Sequence, residues 1–208
     1  ESKRLLTDVK PAIVHEVATS SYGNAAIRCT EVYTQYGKNE PFTLKNFSLT
    51  IYEGEIFALL GSNGSGKSTW LKALIGEIAV VRGHLSLLQK KKLKFKEQIE
   101  QLRYLPQNPK MYFTHDSIEA EMEALVQQFG VDALCIDELL IDYDIAHLRH
   151  RHPHDCSGGE LQRAALACLQ IGHPKIWLLD EPTKGLDPMH KQQLVTILQR
   201  LQRTMTIV

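Results

Sequence analysis

The sequence predicts an α/β protein, with a mainly parallel sheet flanked by helices, an antiparallel β-subdomain and an α-helical subdomain. Three observations carry this expectation. A glycine-rich loop, Gly61-Ser62-Asn63-Gly64-Ser65-Gly66-Lys67-Ser68-Thr69, lies between a short apolar run and a helix-compatible run. A second apolar run, Lys175-Ile176-Trp177-Leu178-Leu179, ends in the paired carboxylates Asp180 and Glu181. Strand-like alternation occupies roughly residues 27–55, and helical patterning dominates over 117–128 and 133–141.

The loop fits the phosphate-binding pattern, a glycine followed four residues later by Gly-Lys-Ser, between strand and helix. Gly61, Gly64 and Gly66 allow backbone angles that turn successive amides toward an anion. The following helix adds its positive end, and Lys67 supplies a point charge for β- and γ-phosphates. Ser68 can offer its hydroxyl to Mg²⁺. A glycine-rich turn with a solvated lysine is the alternative, and loop, lysine, hydroxyl and flanks all argue against it. The chain is expected to bind a nucleoside triphosphate.

Composition bounds the remaining choices. A chain of 208 residues suits one domain and can bury a substantial core. A formal net charge of +0 gives no sign of a nucleic-acid surface, and no nucleic-acid partner is expected. No apolar run approaches the ~20 residues that cross a bilayer, and the charged N-terminus does not resemble a signal peptide. Cys29, Cys135, Cys156 and Cys168 form no CxxC pair and fit reduced thiols.

Taken in order, residues 1–26 read as a tail or inter-domain linker. From Ile27 a strand is expected, with Val32, Thr34 and Tyr36 on one face. A turn at Gly37-Lys38-Asn39 leads to a strand over Leu44–Ile51, and Ile56–Leu60 reads as a buried strand feeding the phosphate loop. Trp70–Ile75 should be helical, His84–Leu88 a strand, and the basic run Lys90–Lys96 a solvated turn. Ile99–Leu105 reads as a short buried strand that ends at Pro106-Gln107-Asn108-Pro109. Helices are expected over Ser117–Gln128 and Ala133–Ile141. The histidine-rich segment 142–155 reads as a surface loop, its spacing too loose for a metal site.

Cys156-Ser157-Gly158-Gly159-Glu160 opens a further helix, whose N-terminal amides offer a second anion site. The strand ending in Asp180-Glu181 places carboxylates where ligands gather in a parallel sheet, at strand C-termini. A loop over 182–188, a helix over 189–202 and the start of a strand at 204–208 complete the chain.

The phosphate loop, Gln107, the Ser-Gly-Gly-Glu helix start, Asp180-Glu181 and Gly185-Leu186-Asp187 occur together in this order. That combination resembles the nucleotide-binding domain of ATP-binding cassette (ABC) proteins, over residues 27–208. The resemblance implies ATP and Mg²⁺ as cofactors, an ABC-type core, and a helical subdomain over about 110–160. It implies adenine stacking on Tyr36, a Mg²⁺- and water-contacting Gln107, a metal-orienting Asp180 and a general base at Glu181. Lys67 and the loop Gly61–Thr69 would hold the phosphates; Ser68, Gln107 and Asp180 would serve the metal. Ser157, Gly158, Gly159 and Glu160 resemble the signature that closes on ATP held by a second cassette, in a homodimer or heterodimer. Asp187 would lie in the loop crossing between the two sites. Met111, Tyr112 and Phe113 sit where the family presents a groove to an integral membrane subunit.

Cys156 stands where the family usually has leucine, and Glu160 replaces the common glutamine. The family's switch histidine would follow Val208, so a truncated cassette is expected. Tyr104–Pro109, Phe113, Glu119, Glu121 and Glu181–Pro188 resemble energy-coupling-factor importers of vitamins, vitamin precursors, cobalt or nickel. In some of these importers two cassettes lie in one polypeptide, and residues 1–26 would suit a linker into the second; the likeness implies a peripheral location on the cytoplasmic face of the cell membrane. Soluble ABC ATPases, of the translation-factor or DNA-repair type, are the alternative; a long charged linker or a far larger insertion would mark them.

Overall fold

The computed structural model describes residues 23–91, 95–202 and 204–208, with the backbone alone at 95 and 96. The expected tail thus lies outside the described residues up to Tyr22, as does the middle of the basic run, Lys92–Lys94. The chain forms two compact units. One holds the described residues of Glu1–Tyr52 and Phe57–Lys92 with Val208; the other holds Glu53–Ile56 and the described residues of Leu93–Ile207.

In the first unit, β1 (Ala25–Thr34), β2 (Leu44–Tyr52) and β3 (Val80–Leu87) form an antiparallel sheet in the order β2-β1-β3. Ile27 pairs with Ile51 on one side and Leu87 on the other, so three core side chains meet across the sheet. The register slips between Cys29 and Val32, and the bulge at Glu31 takes a left-handed φ of 49°. Opposite it, Gly83 sits at φ 87°, and a Cβ there would lie 2.2 Å from the Glu31 carbonyl oxygen. Only glycine satisfies both constraints. Helix α1 (Lys67–Leu74) belongs to the same unit and buries Trp70, Leu71 and Leu74. The Trp70 indole is wholly buried, tilted against Phe47, and donates to Cys29 Sγ at 3.4 Å. Burial pushes the Cys29 thiol pKa up and keeps it protonated.

The second unit carries a parallel sheet, β4 (Leu102–Leu105), β5 (Ile176–Leu179) and β6 (Thr206–Ile207), in the order β4-β5-β6. All four residues of β5 are buried, as a central parallel strand requires. Around it stand α2 (Phe95–Gln101), α3 (Ile118–Phe129), α4 (Leu134–Asp142), α5 (Gly158–Gln170) and α6 (Pro188–Leu201). One apolar cluster joins Leu105, Met122, Leu140, Leu148, Leu166, Trp177 and Ile197. Helix ends are specified locally: Ser117 caps α3 through Ala120 N–H, Gly130 closes it at φ 63°, and Asp187 caps α6 through His190 N–H. The expected α/β class, parallel sheet, antiparallel sheet and helices are all present.

Three details differ from the sequence reading. Ile56–Leu60 does not pair as a strand; Ile56 alone makes an isolated parallel bridge, to Ile207. Ile99–Gln101 continue α2, so the strand expected from Ile99 begins at Leu102. The aromatic pair after Gln107 faces inward: Phe113 is buried, Tyr112 packs on the core edge-on to Phe113, and Met111 is the exposed member.

Candidate functional site

The phosphate loop is shaped by glycines at its tightest points. Gly64 and Gly66 hold φ 80° and 93°, and a Cβ on Gly66 would stand 2.7 Å from Leu44 Cδ2. Lys67 opens α1 and folds its ammonium back over the loop, donating to the carbonyls of Gly61 at 2.7 Å and Ser62 at 3.0 Å. Ser65 N–H donates to the Ser62 carbonyl at 3.2 Å. Gly61, Ser62, Asn63, Gly64, Ser65 and Ser68 are exposed, so the cradle is open to a ligand. A helix start, a nest of amides and a fixed cation are the elements from which an anion site can be built.

Tyr36 lies in the same unit, just past the end of β1 and 58% exposed. Its hydroxyl lies 3.0 Å from Oγ1 of Thr69, a buried residue of α1. A solvent-facing ring tethered by its hydroxyl to the phosphate-loop helix can stack on a planar base.

The remaining expected site residues lie in the second unit. Gln107 follows β4 and Asp180-Glu181 follows β5, and these strands are parallel neighbours, with Leu105 opposite Leu179. Their C-terminal ends therefore emerge side by side, and Gln107 Nε2 donates to Glu181 Oε2. Asp180 is buried, and its Oδ2 accepts from Tyr104 Oη at 3.3 Å. Glu181 takes the left-handed φ of 50°, rare for a side chain of its size and the kind of local strain that gathers at functional sites.

The Ser157 helix start is a complete capping box. Glu160 N–H donates to Ser157 Oγ at 3.4 Å, and Ser157 N–H donates to Glu160 Oε2 at 2.8 Å. The Ser157 backbone N–H, then its hydroxyl, hold the Glu160 carboxyl at a pKa of about 2. His147 Nε2 faces the other Glu160 oxygen at 3.4 Å. Ser157 and Gly158 are exposed, whereas Gly159 is buried beneath the His190 ring. Cys156 turns inward from the same segment, its thiol donating to the His152 carbonyl at 3.7 Å, and burial pushes its pKa up. Among the described residues, no group of three or more His, Cys, Asp or Glu is placed to hold a metal.

Three contacts were not anticipated from the sequence. Lys184 Nζ reaches Glu181 Oε2 at 3.2 Å, and His190 Nδ1 lies 2.7 Å from Asp187 Oδ2. Both pairs have the three-residue spacing of a turn or helix start, which is the signal that would have revealed them. The Tyr104–Asp180 contact crosses between strands, and no local spacing announces it.

Comparison with known proteins bears on this arrangement. Residues 44–184 match the ABC transporter family model. A Bacillus thuringiensis protein described as "Putative ABC transporter ATP-binding protein" is 36% identical over 196 residues, covering 92% of this chain and 36% of the relative. A protein of the same description from Methanocaldococcus jannaschii is 32% identical over 182 residues, covering 82% of this chain and 65% of the relative. The chain spans only 32–36% of the length of its first three Bacillus relatives. Among solved structures, cbiO1 from Clostridium perfringens, described as part of the ABC transporter complex cbiONQ, has a TM-score of 0.77 at 26% identity. That match covers 89% of this chain and 77% of the other. The ATP binding subunit of another ABC transporter shares the fold at a TM-score of 0.75 and 21% identity.

Proposed function

The chain belongs to the ABC transporter ATP-binding family, whose members hydrolyse ATP, and on that premise we propose that it powers solute uptake through a membrane partner. The observation that supports this reading most is the meeting of Gln107 and Glu181 at the ends of neighbouring parallel strands. Their chemistry is complementary: an amide that orients a water or metal, and a carboxylate that takes the proton from the attacking water.

In this reading the Gly61–Thr69 loop and Lys67 bind the ATP phosphates and Tyr36 stacks on adenine. Asp180, fixed by Tyr104, orients the metal. Ser68, Gln107 and Asp180 present hard oxygen donors, the ligand chemistry that Mg²⁺ takes. When bound, that ion would neutralise charge on the phosphates. Ser157, Gly158, Gly159 and Glu160 form the anion-binding helix start offered to a second cassette, a copy of this chain or a relative. Residues 27–208 make up the cassette, and 110–160 its helical arm.

The importer is of the energy-coupling-factor type, supported by the likeness to cbiO1 and by the Tyr104–Pro109 and Glu181–Pro188 segments. Its solute would be a vitamin, a vitamin precursor, cobalt or nickel. No helix among the described residues is long and apolar enough to cross a membrane. An integral membrane subunit would supply the path, as the cbiO1 likeness to a transporter complex supports. The cassette would then sit on the cytoplasmic face of that subunit.

The test uses the full-length protein in two arms. Lys67→Ala is expected to weaken Mg-ATP binding in calorimetry, and Glu181→Gln to keep binding while abolishing turnover. Wild-type hydrolysis by the Gln variant would remove the general-base role. Failure to co-purify with any integral membrane subunit in detergent would favour a soluble ATPase instead.

A further inference from the structure

Glu181 is held more tightly than a water-facing carboxylate needs to be. Its Oε2 accepts from Gln107 Nε2 and also lies 3.2 Å from the Lys184 ammonium. The backbone makes this second contact possible. Glu181 turns the chain at φ 50°, and Lys184 N–H donates to the Glu181 carbonyl at 3.0 Å. That closed turn folds the lysine back over the carboxylate three residues before it. An ionised carboxylate has about four lone-pair sites. Two donors on one oxygen can therefore fix its plane without exhausting its capacity to accept from water. The Lys184 side chain is 62% exposed, so the pair contributes little to folding. Its consequence is orientational.

We propose that Lys184 is a positioning residue: with Gln107, it holds the Glu181 carboxylate in the orientation that receives the proton of the attacking water. The inference rests on the reading of Glu181 as the general base. In the step concerned, the water oxygen bonds to the γ-phosphorus, the bond to the leaving ADP oxygen breaks, and the water proton passes to Glu181. Lys184 touches none of the reacting atoms and acts through the carboxylate alone. A neutral residue at position 184 would remove the ammonium from Oε2 and loosen the hold on the carboxylate's productive pose.

The experiment measures steady-state ATP hydrolysis by the full-length protein carrying Lys184→Met, Lys184→Arg or Glu181→Gln. Lys184→Met should lower kcat by about two- to fivefold, the size expected for an exposed ion pair. The KM for ATP and the thermal midpoint should stay unchanged. Lys184→Arg should recover most of the rate, since a guanidinium still donates to the carboxylate. In a Gln107→Ala background Lys184→Met should cost more than it does alone, because both residues hold the same oxygen. Unchanged or faster turnover, a raised KM, or no recovery with arginine would overturn the proposal. Glu181→Gln separates the two levels: if it is inactive while Lys184→Met behaves as wild type, only the positioning role falls. If it hydrolyses normally, the general-base reading and the positioning role fall together.

Discussion

The imidazole of His190 lies directly over the backbone of Gly159, so that a Cβ built at position 159 would stand 2.3 Å from His190 Cδ2. The ring is held there by its own helix start, with Nδ1 2.7 Å from Asp187 Oδ2 and the His190 N–H donating to Asp187 Oδ1 at 2.9 Å. The start of α6 and the start of α5 are thus locked by a glycine and a histidine.

Gly159→Ala should therefore force the ring off Asp187 and destabilise the protein by about 1–3 kcal/mol, the usual cost of overpacking. Thermal unfolding of Gly159→Ala, His190→Ala and the double variant measures it. The double variant should be closer to His190→Ala than the sum of the two losses. Simple additivity would show that the ring is not what excludes the methyl group.

The capping box makes stability depend on acid in a defined window. The folded-state pKa of Glu160, about 2, lies below the ordinary 4.5, so its contribution is complete above about 4.5 and disappears as pH falls toward 2. Glu160→Gln keeps an acceptor for the Ser157 N–H but does not titrate. Solvent screening limits the difference between the two proteins to about 0.5–1 kcal/mol at pH 6. Urea titrations at pH 6, 4 and 2.5 should show that difference shrinking with acid; a constant difference would refute it.

Burial reassigns the surface after Gln107. Phe113 is 9% exposed within the helical core, whereas Met111 is 74% exposed. Phe113→Asp should unfold the domain or cost at least about 3–5 kcal/mol, the range for truncating a buried aromatic. Met111→Asp should stay within about 0.5 kcal/mol of wild type in chemical denaturation. If the helical arm docks on a membrane subunit, Met111→Asp should also weaken co-purification while ATP binding persists. A stable Phe113→Asp protein would return the aromatic pair to the surface.

Features written in contiguous residues were legible without coordinates. Gly64, Gly66 and Lys67 state their own geometry, because positive φ and a helix start are local requirements. Ser157 and Glu160 cap one turn of helix, and the apolar run Ile176–Leu179 announces a buried strand, each through neighbours a few positions apart. The tertiary structure alone decided what depends on distant chain. Ile56–Leu60 looks like a strand in isolation, but a strand needs pairing along its length, and only Ile56 bridges another residue, Ile207. Tyr112 and Phe113 resemble Met111 in hydrophobicity, and only packing against α3 and α5 separates core from surface. The Tyr36–Thr69, Tyr104–Asp180 and His190–Gly159 contacts join residues 31 to 76 positions apart. Such pairs follow from sheet register and helix placement, which the whole core sets at once, so no local pattern could have carried them.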